Sequence, residues 1–172
     1  LSLAKKISQI VRYYDSVTQY LPLEHDDGTL FNMIKDSVDS DLITEEKLKR
    51  NAILINGNFN YDFDIQKHLT ELQENIDSRT RLIVIGYNSY LRTIYRLATY
   101  LGIKSGDNNR LSFLTRVDIE NLATISGFEV VKYSPAIYLP FSCFKIGLLV
   151  NRVIPAIPII SRFSLVEIII LR

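Results

Sequence analysis

A chain of 172 residues, 47% hydrophobic and 23% charged, suits one globular domain with enough length for a real core. Twenty basic against nineteen acidic side chains leave a formal charge of +1, and no run of Lys or Arg is long enough to track phosphates, so nucleic acid is not an implied partner. The single cysteine, Cys143, excludes an intrachain disulfide framework and cannot make a zinc site alone; it reads as a small buried hydrophobe in a protein of the reducing cytoplasm.

The first segment places Leu3, Ile7, Ile10, Val11, Tyr14 and Val17 on one helical face, with Pro22 as the stop, so residues 1–22 read as a lead-in helix. Lys5 and Lys6 are followed by a mixed helix rather than an apolar run, unlike a signal peptide. The chain opens on Leu1, which fits a piece of a longer protein. Residues 23–50 read as a connector: Asp26-Asp27-Gly28 is a turn signal, Leu30, Phe31, Ile34 and Val38 suggest a short helix, and Thr44 is a candidate cap.

From Asn51 the pattern alternates between strands and helices. Ala52 to Ile55 is a short apolar run ending at Asn56-Gly57, as expected of a buried parallel strand. Asp62 or Asp64 can cap a helix whose inner face is Ile65, Leu69, Leu72 and Ile76. Arg81 to Gly86 has the continuous apolar character of a strand covered on both faces. A helix carrying Ile94, Leu97 and Leu101 should end at Gly102. Beyond the loop Ser105 to Asn109, Thr115 and Asp118 form a near match to a capping box, opening a helix that turns Ile119, Leu122 and Ile125 inward and closes at Gly127. Phe128 to Tyr133 is the next strand, continuing towards Tyr138. After Pro155 and Pro158, Val166 to Leu171 is the last. This order is α/β with a largely parallel sheet, in a single domain over 1–172.

Several of these segments carry a family resemblance. AILINGNFNYDFDIQKHLTEL resembles the fourth strand of class I S-adenosylmethionine-dependent methyltransferases with its loop and helix, and RTRLIVIGYNSYLRTIYRLATYLGI resembles the fifth. LSFLTRVDIENLATISGFEVVKYSPAIYLP is similar to the stretch in which a capped helix runs into the sixth strand through a Gly-Phe pair, here Gly127-Phe128. SLVEIIILR resembles the seventh, antiparallel strand. The resemblance covers 51–172, the C-terminal half of the family's sheet. It implies a Rossmann-like methyltransferase sheet, mostly parallel with an antiparallel C-terminal strand, whose N-terminal part is shortened or missing.

That last qualification rests on glycine. The family needs a Gly-rich loop after its first strand so that backbone can approach the cofactor, and an acidic residue for the ribose hydroxyls. No two of the seven glycines here make a G-x-G, and the roughly 30 residues between the opening helix and Asn51 cannot hold three strands with their crossovers. S-adenosylmethionine is therefore the cofactor implied for the parent protein, with weak or absent binding expected for this chain.

By the same resemblance, loops at the carboxyl ends of the fourth and fifth strands line the site. Asn56 and Asn58 are the candidate cofactor contacts, and Asn60, Tyr61, Tyr87 and Asn88 the candidate substrate contacts. Ordinary turn chemistry would also account for each of them. His25 and His68 are the only imidazoles; His68 reads as packing on its helix and His25 as a loop residue. Asp62, Asp64 and Glu71 lack a second ligand cluster, so no metal is implied. Tyr13, Tyr14 and Tyr20 could shape a lid, although burial of the amphipathic face explains Tyr14 equally well.

The apolar stretch 141–163 contains Lys145, Asn151, Arg152 and two prolines, which argues against a spanning helix. Packing between the last two strands explains it best. Oligomerisation, or peripheral membrane contact through an interfacial helix, are the alternatives. The function implied is methyl transfer to a small-molecule or saccharide-like acceptor. The alternative is a non-catalytic methyltransferase-like interaction module that has lost the cofactor loop; a nicotinamide-dependent Rossmann enzyme ranks below both.

Overall fold

A computed structural model of the chain describes residues 2–21, 26–38, 49–61, 64–89, 91–93, 100, 113–138 and 164–172. Helix α1, Ser2–Val11, buries Ala4, Ile7 and Val11 at helical spacing. It stops there, which corrects the expected lead-in helix to residue 22. Ser16–Gln19 is instead a strand, β1. The periodicity that put Tyr14 and Val17 on the helical face is overridden by pairing. Asp15 N–H donates to the Arg50 carbonyl at 2.8 Å, Arg50 N–H returns a bond to the Asp15 carboxylate at 2.6 Å, and Val17 lies opposite Ala52. A β-branched residue gains more on a pleated surface than on a helix with no partner there.

The short helix in the connector is α2, Thr29–Lys35, with Ile34 fully buried. Thr44 lies outside the described residues. Strand β2, Asn51–Asn56, is followed by a single helical turn, α3, Asn58–Tyr61. Of the two candidate caps for the next helix, Asp64 accepts from Lys67 N–H and opens α4, Ile65–Asn75. Strand β3 is Arg81–Tyr87, helix α5 is Arg116–Ile125, and strands β4 and β5 are Val130–Ile137 and Val166–Leu171. Ile94, Leu97, Leu101 and Gly102 of the next expected helix, the loop 105–109, Cys143 and the stretch 141–163 lie outside the described residues.

The five strands form one sheet in the order β1-β2-β3-β5-β4. β1, β2 and β3 are parallel, and β5 runs antiparallel to both of its neighbours. This is a Rossmann-like α/β fold, mostly parallel with an antiparallel C-terminal strand. Side chains alternate across the sheet with period two. Leu82 and Val84 of β3 face α4 and α5 with Leu69, Ala123 and Phe128. Ile83 and Ile85 face α1 and α2 with Ile7, Val11 and Ile34. The continuous apolar runs in β3 and β5 follow from this two-sided cover.

The inward face of α5 differs from expectation in one residue. Ile119 and Ala123 are buried, whereas Ile125 is 66% exposed. Ile125 closes the final turn, where the chain leaves through a left-handed Gly127 at φ 79° and a 2.7 Å bond from Phe128 N–H to the Ala123 carbonyl. That closure buries Phe128, so the Gly-Phe pair fixes the entry to the next strand, which begins at Val130. As an edge strand, β4 carries two irregularities and Pro135, features that discourage further strand addition.

At the other end of α5 the capping box is complete. Thr115 accepts from Asp118 N–H, and the Asp118 carboxylate accepts from Thr115 N–H at 2.8 Å. Thr115→Ala should cost about 1 kcal/mol in urea unfolding. The bond from Thr115 N–H, then that from its hydroxyl, hold the Asp118 carboxyl below its usual 3.8. A carboxyl depressed on folding stabilises fully above its unfolded value and loses that contribution as pH falls through its folded value. Wild type should therefore lose stability more steeply than Asp118→Asn below about pH 4; equal slopes would show that the box does not form.

Candidate functional site

Open α/β sheets bind ligands at the carboxyl ends of their parallel strands. Here β2 ends at Asn56 and β3 at Tyr87. Because β5 is antiparallel, its start lies on the same edge, with Glu167 opposite Gly86 and Val166 opposite Tyr87. Two side-chain clusters form along this edge.

The first joins β1, β2 and the entry to α2. One oxygen of Asp26 accepts from Gln19 Nε2 at 2.5 Å and Asn56 Nδ2 at 2.8 Å, and the other from Gly28 N–H at 3.0 Å. Asn56 is therefore held on the β1 side of the edge. Sequence reading missed Asp26 as a site residue, since Asp-Asp-Gly signals a turn whether or not its carboxylate gathers donors from two strands.

The second cluster is built on β3, β5 and α5. Gly57, at φ 79°, allows the chain to leave β2 sharply, and its N–H donates to the Ile85 carbonyl at 3.1 Å. The turn α3 is thereby seated on β3. Asn60, only 2% exposed, accepts from Tyr87 N–H at 2.9 Å, so the loop after β2 and the end of β3 are in contact. Asn58 and Tyr61 open and close the same helical turn. Asn88 donates from its backbone to the Leu165 carbonyl at 3.0 Å and from Nδ2 to Glu167 at 3.1 Å.

Glu167 is 5% exposed. Arg116, the first residue of α5, grips it with two bonds, Nη2 to Oε1 at 2.6 Å and Nε to Oε2 at 3.2 Å. This contact pushes the guanidinium pKa above its ordinary value. The Arg116 carbonyl accepts from the Tyr133 hydroxyl at 3.2 Å, and its guanidinium lies 4.8 Å from the centre of that ring. Burial, then the charge of Glu120, raise the Tyr133 phenol pKa; burial, then Glu167, raise that of Tyr138.

These groups surround an open cavity of about 320 Å³, lined by Gly86, Tyr87, Asn88, Ser89, Arg116 and Glu167 against Leu114, Ile119 and Ile169. Arg116 and Glu167 were not among the sequence candidates. A signal existed: Glu167 is the one charge in the run VEIIIL, and a charge in a strand buried on both faces requires a partner.

Elsewhere, the Tyr20 hydroxyl and His68 Nδ1 are 2.8 Å apart, their rings meet edge to face, and Glu71 lies 3.9 Å from the same nitrogen. Both residues thus pack on α4. Tyr14 is partly buried against the α1–α2 core, while Tyr13 is 54% exposed beside Arg12. His25 lies outside the described residues. Among the described residues no group of three or more His, Cys, Asp or Glu side chains could hold a metal ion, and no helix is long and apolar enough to cross a membrane.

The fit to S-adenosylmethionine is incomplete. Asp26 supplies a carboxylate at the edge, but ribose hydroxyls would have to displace the donors it already holds. The chain has no G-x-G turn to present backbone N–H groups to the amino-acid end. The described residues do not make the whole cradle.

No family model and no curated protein matches this chain. Among solved structures it is similar to a chain in the complex of the Haloferax volcanii Trm112 methyltransferase activator with a candidate methyltransferase: 9% identity and a TM-score of 0.45, covering 70% of this chain and 52% of that one. It is also similar to the magnesium protoporphyrin IX methyltransferase ChlM of Synechocystis PCC 6803 with bound SAH: 12% identity and a TM-score of 0.37, covering 70% of this chain and 43% of that one. The chain thus spans about half the length of these two.

The ion pair invites a test. Arg116→Ala leaves a buried carboxylate short of two donors and should cost about 2 kcal/mol, below the full cost of a buried pair because the Arg116 side chain is 43% exposed. Arg116→Met combined with Glu167→Met should cost less than that single change. Urea unfolding of the two variants beside the wild type decides, and a double variant less stable than the single would refute the pairing argument.

Proposed function

We propose that this chain is the acceptor-side portion of an S-adenosylmethionine-dependent methyltransferase acting on a small-molecule or saccharide-like acceptor. The observation that carries the reading is β5, which lies between β3 and β4 and is antiparallel to both, in keeping with the resemblance of SLVEIIILR to the family's seventh, antiparallel strand.

The chemistry asks little of the protein beyond geometry. The bound cofactor supplies an already activated methyl group, so the chain's own task is to hold a nucleophile in line and keep water away. In this reading Asn60, Tyr61, Tyr87 and Asn88 orient the acceptor. Asn60 does so by fixing the end of β3, and Asn88 through its bond to the buried Glu167. Asn56, which bonds Asp26, and Asn58 are assigned to the cofactor side. A completing segment with a glycine-rich turn would lie beyond β1. The rival reading, a non-catalytic module, draws support from Asp26, whose carboxylate is already satisfied within the chain.

Calorimetric titration separates these readings. The present chain should bind S-adenosylmethionine more weakly than about 1 mM, because backbone donors and a freely available ribose carboxylate are each worth roughly 1.5–3 kcal/mol when they bond charged groups. A one-to-one micromolar site would show residues 23–50 to be misread. The full-length parent should bind it at micromolar concentration and release S-adenosylhomocysteine in the presence of an acceptor. A parent that does neither is the module.

A further inference from the structure

The cavity at the β3–β5 edge contains space that packing does not require. Gly86 adopts neither a left-handed conformation nor a crowded position. A Cβ built there would meet Ile169 Cδ1 at 3.8 Å and Asn60 Oδ1 at 3.9 Å, both ordinary contacts. Nothing in the fold therefore demands glycine, yet its missing side chain opens the wall of a cavity of about 320 Å³.

The charges in the wall restrict what can enter. Among the described lining residues the carboxylate and guanidinium are those of Glu167 and Arg116, already joined at 2.6 Å, beside the phenol of Tyr87 and the neutral side chains of Asn88 and Ser89. A carboxylate or phosphate would be pressed towards the buried Glu167, and an ammonium towards Arg116, both where partial exclusion of water strengthens repulsion. A neutral ligand meets neither penalty. The remaining described surface is of two kinds: phenol, amide, hydroxyl and guanidinium groups from Tyr87, Asn88, Ser89 and Arg116, and an apolar wall of Leu114, Ile119 and Ile169. The volume is near the lower end of the roughly 300–1,000 Å³ usual for small-molecule sites, enough for one ring.

We infer that this cavity binds a neutral polyhydroxylated ring of the size of one monosaccharide, its hydroxyls towards Asn88, Ser89 and Arg116 and its C–H face against Ile119 and Ile169. The assignment rests on the reading of this edge as the acceptor side, and it narrows that acceptor to an uncharged, hydroxyl-rich class.

The test is a nuclear magnetic resonance titration of the ¹⁵N-labelled chain, without cofactor, using the methyl glycosides of glucose, galactose and mannose, and myo-inositol. At least one should give saturable shifts at Gly86, Ser89 and Ile119 with a millimolar dissociation constant, and glucuronate and glucosamine should bind more weakly. Gly86→Ala should weaken binding at least about tenfold without lowering the unfolding midpoint, since glycine-to-alanine changes at a compatible position stabilise. Ser89→Ala, which adds no bulk, should weaken it about three- to tenfold. Absence of saturable shifts with all four probes, shifts confined to other residues, tighter binding of glucuronate or glucosamine, or an unaltered affinity in Gly86→Ala would each overturn the inference. Because the tube contains no cofactor, failure here leaves methyl transfer standing, and failure of the cofactor titration leaves this site standing.

Discussion

Glu167 lies in a strand whose six residues are all buried, and its carboxylate cannot remain there without donors. Arg116 and Asn88 supply them from the start of α5 and the end of β3. One desolvated charge thereby fixes three elements at the carboxyl edge: the helix that must present Arg116, the strand end that must present Asn88, and β5 itself. A register slip of one residue would turn Glu167 to the opposite face of the sheet and away from both. The cavity is shaped by the same requirement, since its polar wall is the ion pair seen from outside.

The two edge clusters divide the work differently. Asp26 draws together side chains of β1 and β2 and the backbone at the entry to α2, and its three donors among the described residues are uncharged. Glu167 is met by a guanidinium in a forked contact. Displacing neutral donors costs less than separating a guanidinium from a buried carboxylate, although each donor displaced must still be replaced. The Asp26 side is therefore held by hydrogen bonds from neutral donors and the Glu167 side by a charged pair, so the second is the harder to open.

Much of this organisation was legible in the sequence. β2, β3 and β5 were visible as apolar runs because two-sided burial removes polar residues from a strand. The box at Thr115 and the glycine at 127 marked both ends of α5, since caps are local chemistry. The strand β1 was not legible. Ser-Val-Thr-Gln is too short to show a period, and its place depends on Asp15 and Arg50, 35 residues apart. The candidate residues Asn60 and Tyr87 were rightly placed near each other by strand adjacency, although the contact that joins them runs from a side chain to a backbone N–H, which no residue pattern records. Asn56 turned to the other cluster because its partner, Asp26, lies in a segment read only as a turn.

The insertion of β5 has a consequence for synthesis. β4 is translated before β5 but has no place beside β3, because β5 separates them. Until Val166–Leu171 leaves the ribosome, the apolar flank of β3 and the inner flank of β4 both lack their partner. The nascent sheet must therefore wait, half assembled, for its most hydrophobic strand, and the closing contacts join residues as far apart in sequence as Leu82 and Leu171. Long-range closure of this kind is slow and leaves strand edges open to other chains. The irregular, proline-bearing β4 limits that exposure on one side, and β3 has no such protection until the last strand arrives.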